Sequence, residues 1–428
     1  MKKISLLLLC FLICGTMVFA GGSSQSKSGA ASTGSSTAPI TLNALFMKQA
    51  GYSEDDINPI TDQFQKDNPN ITVVQTWVQY EELLPKILAA AASGGYDVIP
   101  GDCIWTPQLA QAGLVKDMTA QIKALNLNDI WQGCIDSLVY KGKYYGMPFL
   151  NDVKYLFYNK KMLADAGFNA PPKTWDEMNQ MSQVIKQKGI VQYPVAWCWA
   201  QAEALICDYT AIAASFGAKF TDANNAPTLN SPQAKAALDY MYGTIQSGIT
   251  NPKSLEMLED DVLGTFCSGN AAFGLNWTYM YNSAQDPTTS SIVGQCGIAI
   301  IPGTSAAVSA TVNGGMPSMI PSGCKNPEAA WKYIQYLSSK DVQAEHSLNA
   351  LPIWKSLYDD PRVIAANPDV VPVAKIQYAY LVNRPQVPYY SELSTTMQVE
   401  IQNVLLGKTP SATALANIQA KALALQAQ

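Results

Sequence analysis

Apolar and polar positions alternate over residues 40–47 (ITLNALFM), a period of two that predicts a strand with one buried face. Asn58 and Pro59 then read as a cap followed by proline at the first helical position, with Ile60 and Phe64 four apart on one face and Pro69 as the stop. A second strand over 71–78 leads into an alanine-rich helix over 80–92 that ends at Gly94 and Gly95. A third strand over 97–99 precedes a loop bearing Asp102 and Trp105, and a helix begins over 109–113. Strands alternating with helices in this way predict a mostly parallel sheet covered on both faces. Ligands of such sheets sit beyond the carboxyl ends of the strands, which brings Tyr52, Asp102 and Trp105 to one edge.

Residues 142–189 carry the densest pattern. A short aromatic hairpin-like run passes Pro148 and the polar pair Asn151 and Asp152, then returns to an apolar strand over 155–158. Thr174 is placed to cap a helix and Glu177 to reach back to its start, and Met178, Met181 and Ile185 supply a helix-spaced apolar face that ends at Gly189. Packing accounts for the helix. It does not account for two polar residues between apolar strands.

Farther along, residues 192–199 (QYPVAWCW) read as a strand with Trp197 and Trp199 on one face, a pair more often found in a core than in a site. Helices are expected over 202–216 and from Ser231 and Pro232 to Gly248. A buried strand over 271–279 runs into Trp277 and Tyr279, another covers 297–301, and residues 308–319 contain the turn Asn313, Gly314, Gly315. The last quarter is mainly helical, with starts at Asn326 and Pro327 and at Thr409 and Pro410, and with Leu393, Met397, Ile401 and Leu405 at helical spacing between them.

Length and composition narrow the classes. At 428 residues the chain exceeds one ordinary core, and two lobes are the simpler expectation. A charged fraction of 14% with net charge -5 leaves no electrostatic footprint for nucleic acid. The single histidine, His346, rules out zinc sites that need several imidazoles and leaves only itself for a Ser-His-Asp triad; it reads as a surface or helix-end residue. No cofactor or metal is implied. Residues 1–20 form a signal peptide: Lys2 and Lys3, an apolar run from Ile4 to Phe19, and a V-F-A cleavage pattern. Residues 21–38 form a flexible Gly/Ser tether. The protein is therefore expected to be exported, to the periplasm or the extracytoplasmic space. Cys14 follows Ile13, a poor fit for a lipid-modified cysteine, so soluble export is preferred, with lipid anchoring as the alternative. Of nine cysteines, Cys10 and Cys14 precede the cleavage point; the seven that remain read as small buried hydrophobes, with a disulfide or two left open.

Four segments in serial order carry a family likeness: YDVIPGDCIWTPQLAQAGLV, KYYGMPFLNDVKYLFYNKKMLADAGFNAPPKTWDEM, GNAAFGLNWTYMY and GGMPSMIPSGCKNPEAAWKYIQYLSS. Together they resemble the extracytoplasmic solute-binding proteins of carbohydrate ABC importers, in the maltose-binding-protein-like branch. The resemblance implies an α/β, two-lobed periplasmic-binding-protein fold, the type II or Venus-flytrap clamp, with crossing hinge connections. The N-terminal lobe would take residues 39–150 and 312–357 and the C-terminal lobe 151–311 and 358–428, with the chain crossing near 148–152, 310–315 and 352–357. Gly314 and Gly315 would supply hinge freedom.

The resemblance also implies a cleft that binds a neutral sugar and delivers it to the permease subunits of the transporter, with the binding protein a monomer. A sugar presents hydroxyls that need hydrogen-bond partners and an apolar face that prefers an aromatic plane. By position against the family motifs, Asp152 and Trp277 lead the candidates. Trp105, Asn151, Trp199, Tyr279 and Tyr390 follow, and Tyr52, Asp102, Trp197, Asn313, Trp354 and Arg384 complete the set, with Trp354 also suited to plug the hinge. Cys103 and Trp105 stand where the family often places charged residues, which argues against maltodextrin. Two other classes compete: a clamp for a charged small solute such as a polyamine or amino acid, which would want several pocket carboxylates, and a secreted carbohydrate-active enzyme pairing Asp152 with Asp102 or Glu203.

Overall fold

The strand Ile40–Met47 pairs in parallel with Ile71–Val78 along its whole length, Ile40 opposite Ile71 and Met47 opposite Val78. Both strands fall where the alternation predicts them. The structure, a computed structural model, describes residues 38–48, 51–91, 94–222 and 226–428. The signal peptide and nearly all of the tether lie outside the described residues.

The expected mostly parallel sheet is not what forms. Ala44 bridges in parallel to Val98, but Ile99–Pro100 and Met147–Leu150 both run antiparallel to Met316–Met319, which lies between them. A second sheet has the order Cys296–Ala299, Tyr155–Asn159, Phe273–Asn276, Val195–Ala196, antiparallel at the first two junctions and parallel at the third. The reason is connectivity. Met316–Met319 enters its sheet from a distant part of the chain, not by a local helical crossover, so nothing obliges it to run parallel.

Capping signals decide the helices. Ser53, not Asn58, starts the first one: its side chain accepts from the Asp56 amide while Asp56 accepts from the Ser53 amide, a capping box that sets the helix as Glu54–Asp67. Pro59 therefore lies inside the helix, against expectation. Two reciprocal bonds at Ser53 outweigh the one backbone bond that proline forfeits. Thr174 does accept from the Glu177 amide and opens Trp175–Gln187, but the Glu177 carboxylate reaches one residue farther back, to the Lys173 amide at 2.6 Å. The aromatic hairpin turns earlier than its residues suggest. Val139–Tyr140 pairs with Lys143–Tyr144 around Lys141 and Gly142, whose φ values of 48° and 73° are those of a tight two-residue turn.

The strands expected over 192–199 and 271–279 shorten to Val195–Ala196 and Phe273–Asn276, and Tyr279 opens a short helix, Tyr279–Ser283. The tail helices Tyr390–Leu405 and Ser411–Gln426 pack on each other and on Pro232–Gln246. Leu393, Met397, Ile401 and Leu405 are buried there, as their spacing predicts. His346 caps the end of Lys340–Glu345, the helix-end place its sequence context suggests.

The segments expected to cross between lobes lie against one another and their neighbours. Asn151 bridges to Leu351, Val153 to Asn313, and Ile130 to Trp354, while Thr311–Val312 pairs in parallel with Leu381–Val382. Residues on these segments are thereby carried to one place.

Candidate functional site

A cavity of ≈ 680 Å³, counted out to its open mouth, lies where the crossing segments meet the strand ends. Its wall takes Asp152, Leu150 and Gly314 from the crossings, Tyr80, Glu81 and Asp102 from the first sheet's side, and Glu203, Glu259, Asp260, Trp277 and Tyr279 from the second's. Arg384 comes from the stretch after Leu381–Val382.

Asp152 is buried, and the hydrogen bonds to its carboxyl group arrive at one oxygen. Oδ1 accepts from the Val153 amide (2.9 Å), the Thr278 amide (3.2 Å) and the Thr278 hydroxyl (2.5 Å). Burial pushes its pKa up to about 7, against the lowering effect of those bonds and of the Lys154 charge.

Trp277 is held from three sides. Its amide donates to Asn276 Oδ1 at 2.9 Å, its indole nitrogen donates to Glu259 Oε1 at 3.3 Å, and the Lys154 ammonium sits 5.2 Å from its ring centre. Gly314 completes the seat, because a Cβ there would fall 2.5 Å from Trp277 Cζ3. The close approach gives Gly314 a packing role beside the expected hinge freedom. Neither it nor Gly315 is among the positive-φ glycines, so in this conformation the close approach of the indole is the local reason for glycine at 314.

Behind Trp277 stands a buried ion network. Lys154 pairs with Asp208 at 2.7 Å and with Glu259 at 3.4 Å. Burial works against the lysine's charge, but Asp208 and Glu259 more than offset it and hold its pKa above the usual lysine value. A second network crosses the cavity floor. Arg384 donates to Asp102 Oδ1 (3.2 Å) and Glu203 Oε1 (2.7 Å), Tyr80 donates to Asp102 Oδ2 (2.8 Å), and Tyr390 donates to Glu203 Oε1 (2.6 Å). The wall is thus rich in acceptors, and most of its donors are already spent on them.

Of the sequence candidates, Asp152, Trp277, Tyr279, Asp102 and Arg384 line this cavity. Trp105 and Tyr390 stand one layer back: the Trp105 ring stacks on Tyr80 at 5.2 Å, and Tyr390 supports Glu203. The others do not reach it. Trp197 and Trp199 are fully buried and stacked on each other, centres 5.0 Å apart, within the core of the second sheet. Asn151 donates to the Pro352 carbonyl and to the Tyr358 hydroxyl, and Asn313 to the Gly133 carbonyl and to Asn383. Asn151 ties one expected crossing to another, and Asn313 ties its segment to the helix and loop beside it. Trp354 is buried with its indole nitrogen on the Ser338 carbonyl, beside the crossings it was expected to plug. Tyr52 stacks on Phe149 and faces a separate chamber.

Sequence reasoning passed over Tyr80, Glu81, Glu259 and Asp260. Tyr80 and Glu81 directly follow a strand's carboxyl end, a signal available from the chain. Glu259 and Asp260 read as ordinary acids in a helix's first turn and became visible only when the fold brought Trp277 beside them. All seven described cysteines are buried and unpaired, so no disulfide forms among them. Cys207 lines the cavity, and burial pushes its thiol up to about 12, which leaves it unreactive. Among the described residues no cluster of His, Cys, Asp or Glu could hold a metal ion, and no helix is long and apolar enough to cross a membrane.

Known proteins with this organisation were found by both sequence and structure. The family model "Bacterial extracellular solute-binding protein" matches residues 50–344. A probable ABC transporter-binding protein of Deinococcus radiodurans is 27% identical over 340 residues, 77% of this chain and 80% of its own. A maltotriose-binding protein of Pyrococcus abyssi is 24% identical, over 74% of this chain and 67% of its own. Among solved structures, a maltose-bound protein of T. maritima superposes with TM-score 0.83 at 27% identity, covering 90% of this chain and all (100%) of that one. A ribitol complex from Agrobacterium radiobacter gives 0.81 at 25% identity, covering 91% and 99%.

Proposed function

The chain belongs to the bacterial extracellular solute-binding proteins and has their two-lobed fold, and from that premise we propose that it binds a neutral sugar or polyol in its cavity and delivers it to the permease of an ABC importer. The observation that carries the reading is the pairing of the seated Trp277 indole with the acceptor-rich wall around Asp152. An indole face covers the apolar side of a sugar ring while carboxylates accept from its hydroxyls. The maltose and ribitol bound by similar structures support the same ligand class.

In this reading the lobes take residues 39–150 with 312–357 and 151–311 with 358–428, and they close on the ligand because contacts from both sides favour the closed state. The protein acts as an exported monomer with soluble export preferred to a lipid anchor, and it turns nothing over. The enzyme alternative needs a second carboxylate free to work with Asp152. Asp102 and Glu203, the candidates for that part, are both held by Arg384.

The test is calorimetry and tryptophan fluorescence on the mature protein against a panel of sugars and polyols, alongside native mass spectrometry of the purified chain. One-to-one binding with a fluorescence change and no product is the expected result. A flat response across the panel, or binding of polyamines or amino acids instead, overturns it.

A further inference from the structure

A second chamber adjoins the cavity, and nothing in the binding scheme above uses it. It spans ≈ 440 Å³ counted out to its open mouth and is walled by Phe46, Val98, Ile99, Pro100, Phe149 and Pro317. Met47, Leu150 and Met316 line both spaces, so these three side chains alone are shared between the sugar cavity and the chamber. Two of the three are methionines, whose unbranched thioethers change rotamer without moving backbone.

Two polar side chains, Tyr52 and Ser318, break the apolar lining. Tyr52 is 6% exposed, its ring is stacked on Phe149 with centres 4.8 Å apart, and its hydroxyl is buried with no hydrogen-bond partner. A buried hydroxyl left unpaired is costly, and such a group calls for an unassigned partner. The cavity next door is lined mainly by carboxylates, with Arg384 Nε buried and unpaired among them, whereas the chamber sets the Tyr52 hydroxyl in a mostly apolar wall. A small acyl group suits that combination: its methyl needs only apolar walls, its carbonyl oxygen accepts one hydrogen bond, and an amide N–H left in the cavity can donate to a carboxylate.

We propose that the chamber is a subsite for a small acyl substituent on the sugar, with the Tyr52 hydroxyl donating to the acyl carbonyl. This rests on the sugar-binding reading and narrows it to acylated sugars, the N-acetyl amides being the simplest case. The group enters between Met47, Leu150 and Met316 and stays uncharged, so the site discriminates by an apolar fit and one hydrogen bond.

Titration calorimetry of the mature protein with cellobiose, chitobiose and di-N-acetylchitobiose tests this, since the three differ only in carrying hydroxyl, amine or acetamide at the same ring position. The acetylated form should bind at least about tenfold more tightly than either other, as a site built to hydrogen-bond a group does against analogues lacking it. Tyr52→Phe should cut that preference severalfold, and it removes a hydroxyl that holds no other part of the fold. Equal affinity for all three, tighter binding of the free diamine, or a preference untouched by Tyr52→Phe overturns the subsite. If none of the three binds while other sugars do, the subsite falls and the sugar reading stands. If no sugar binds at all, the reading beneath it falls too.

Discussion

Asp152 concentrates what this site asks of a single residue. Its carboxyl is buried beside a cavity, stabilised by three hydrogen bonds to Oδ1, and pushed up to about 7 because burial outweighs them. In the unfolded chain the same group titrates near ~3.9. Between those values the folded protein holds a proton that the unfolded chain has lost. Stability therefore falls as pH rises through that window, by up to ~1.4 kcal/mol per pH unit. Asp152→Asn keeps an oxygen to accept from Thr278 but does not titrate. Thermal unfolding of the variant should show a flatter pH dependence between 4 and 7 than the parent, and a parallel pair of curves would refute the assignment. Sugar affinity should fall by no more than a few kcal/mol, as loss of a charged acceptor does; complete loss of binding would point to a cationic ligand. Asp152 lines the cavity, as its position against the family motifs led one to expect, but its place between apolar strands did not separate it from Asn151, which turns to Pro352 and Tyr358. Its titration was not legible, because burial is a property of what packs around it.

Elements set how well those residues are held. The strand Phe273–Asn276 delivers Trp277, and the ion network behind it joins that strand's end to Tyr155–Asn159 through Lys154, its preceding residue, and to Glu203–Ser215 through Asp208. Lys154→Met removes the cation and leaves Asp208 buried without its partner. We expect ~3–5 kcal/mol of destabilisation by denaturant titration, the usual cost of breaking a buried pair. Lys154→Met paired with Asp208→Leu should recover much of that, and failure to recover would show that the pair is not the unit. At this scale the chain was readable where a local signal was strong: the alternation over Ile40–Met47, the Thr174 cap and the four-residue spacing of Leu393, Met397, Ile401 and Leu405 in Tyr390–Leu405. It misled where two local signals competed, as Asn58 with Pro59 did against the reciprocal cap at Ser53 and Asp56.

For the whole molecule the question is what joins the two sides of the cavity. Arg384 does so directly, bonding Asp102 next to the first sheet and Glu203 at the start of a helix packed on the second. Arg384→Met leaves the buried Asp102 and the half-buried Glu203 carboxylates without their cation. The unliganded variant should scatter X-rays with a larger radius of gyration than the parent and bind its ligand at least about tenfold more weakly. An unchanged radius would show that Arg384 stabilises a wall and not closure. Arg384→Lys should fall between the two, since one ammonium cannot reproduce the two-pronged contact.

Several properties were settled by residues acting on their neighbours: the strands and helices with strong period or caps, the single histidine that removes most catalytic and metal schemes, and the serial motifs that resemble solute-binding proteins. Their physics is local, so the order of residues along the chain is enough. The pairing of Met316–Met319 between two strands from far earlier in the chain, the burial of Trp197 and Trp199 in a core, and the meeting of Asp152, Trp277, Gly314 and Arg384 at one cavity depend on contacts between residues tens to hundreds of positions apart. No periodicity encodes which distant strands become neighbours. Only the folded chain decides which aromatic side chains face solvent and which are consumed in packing.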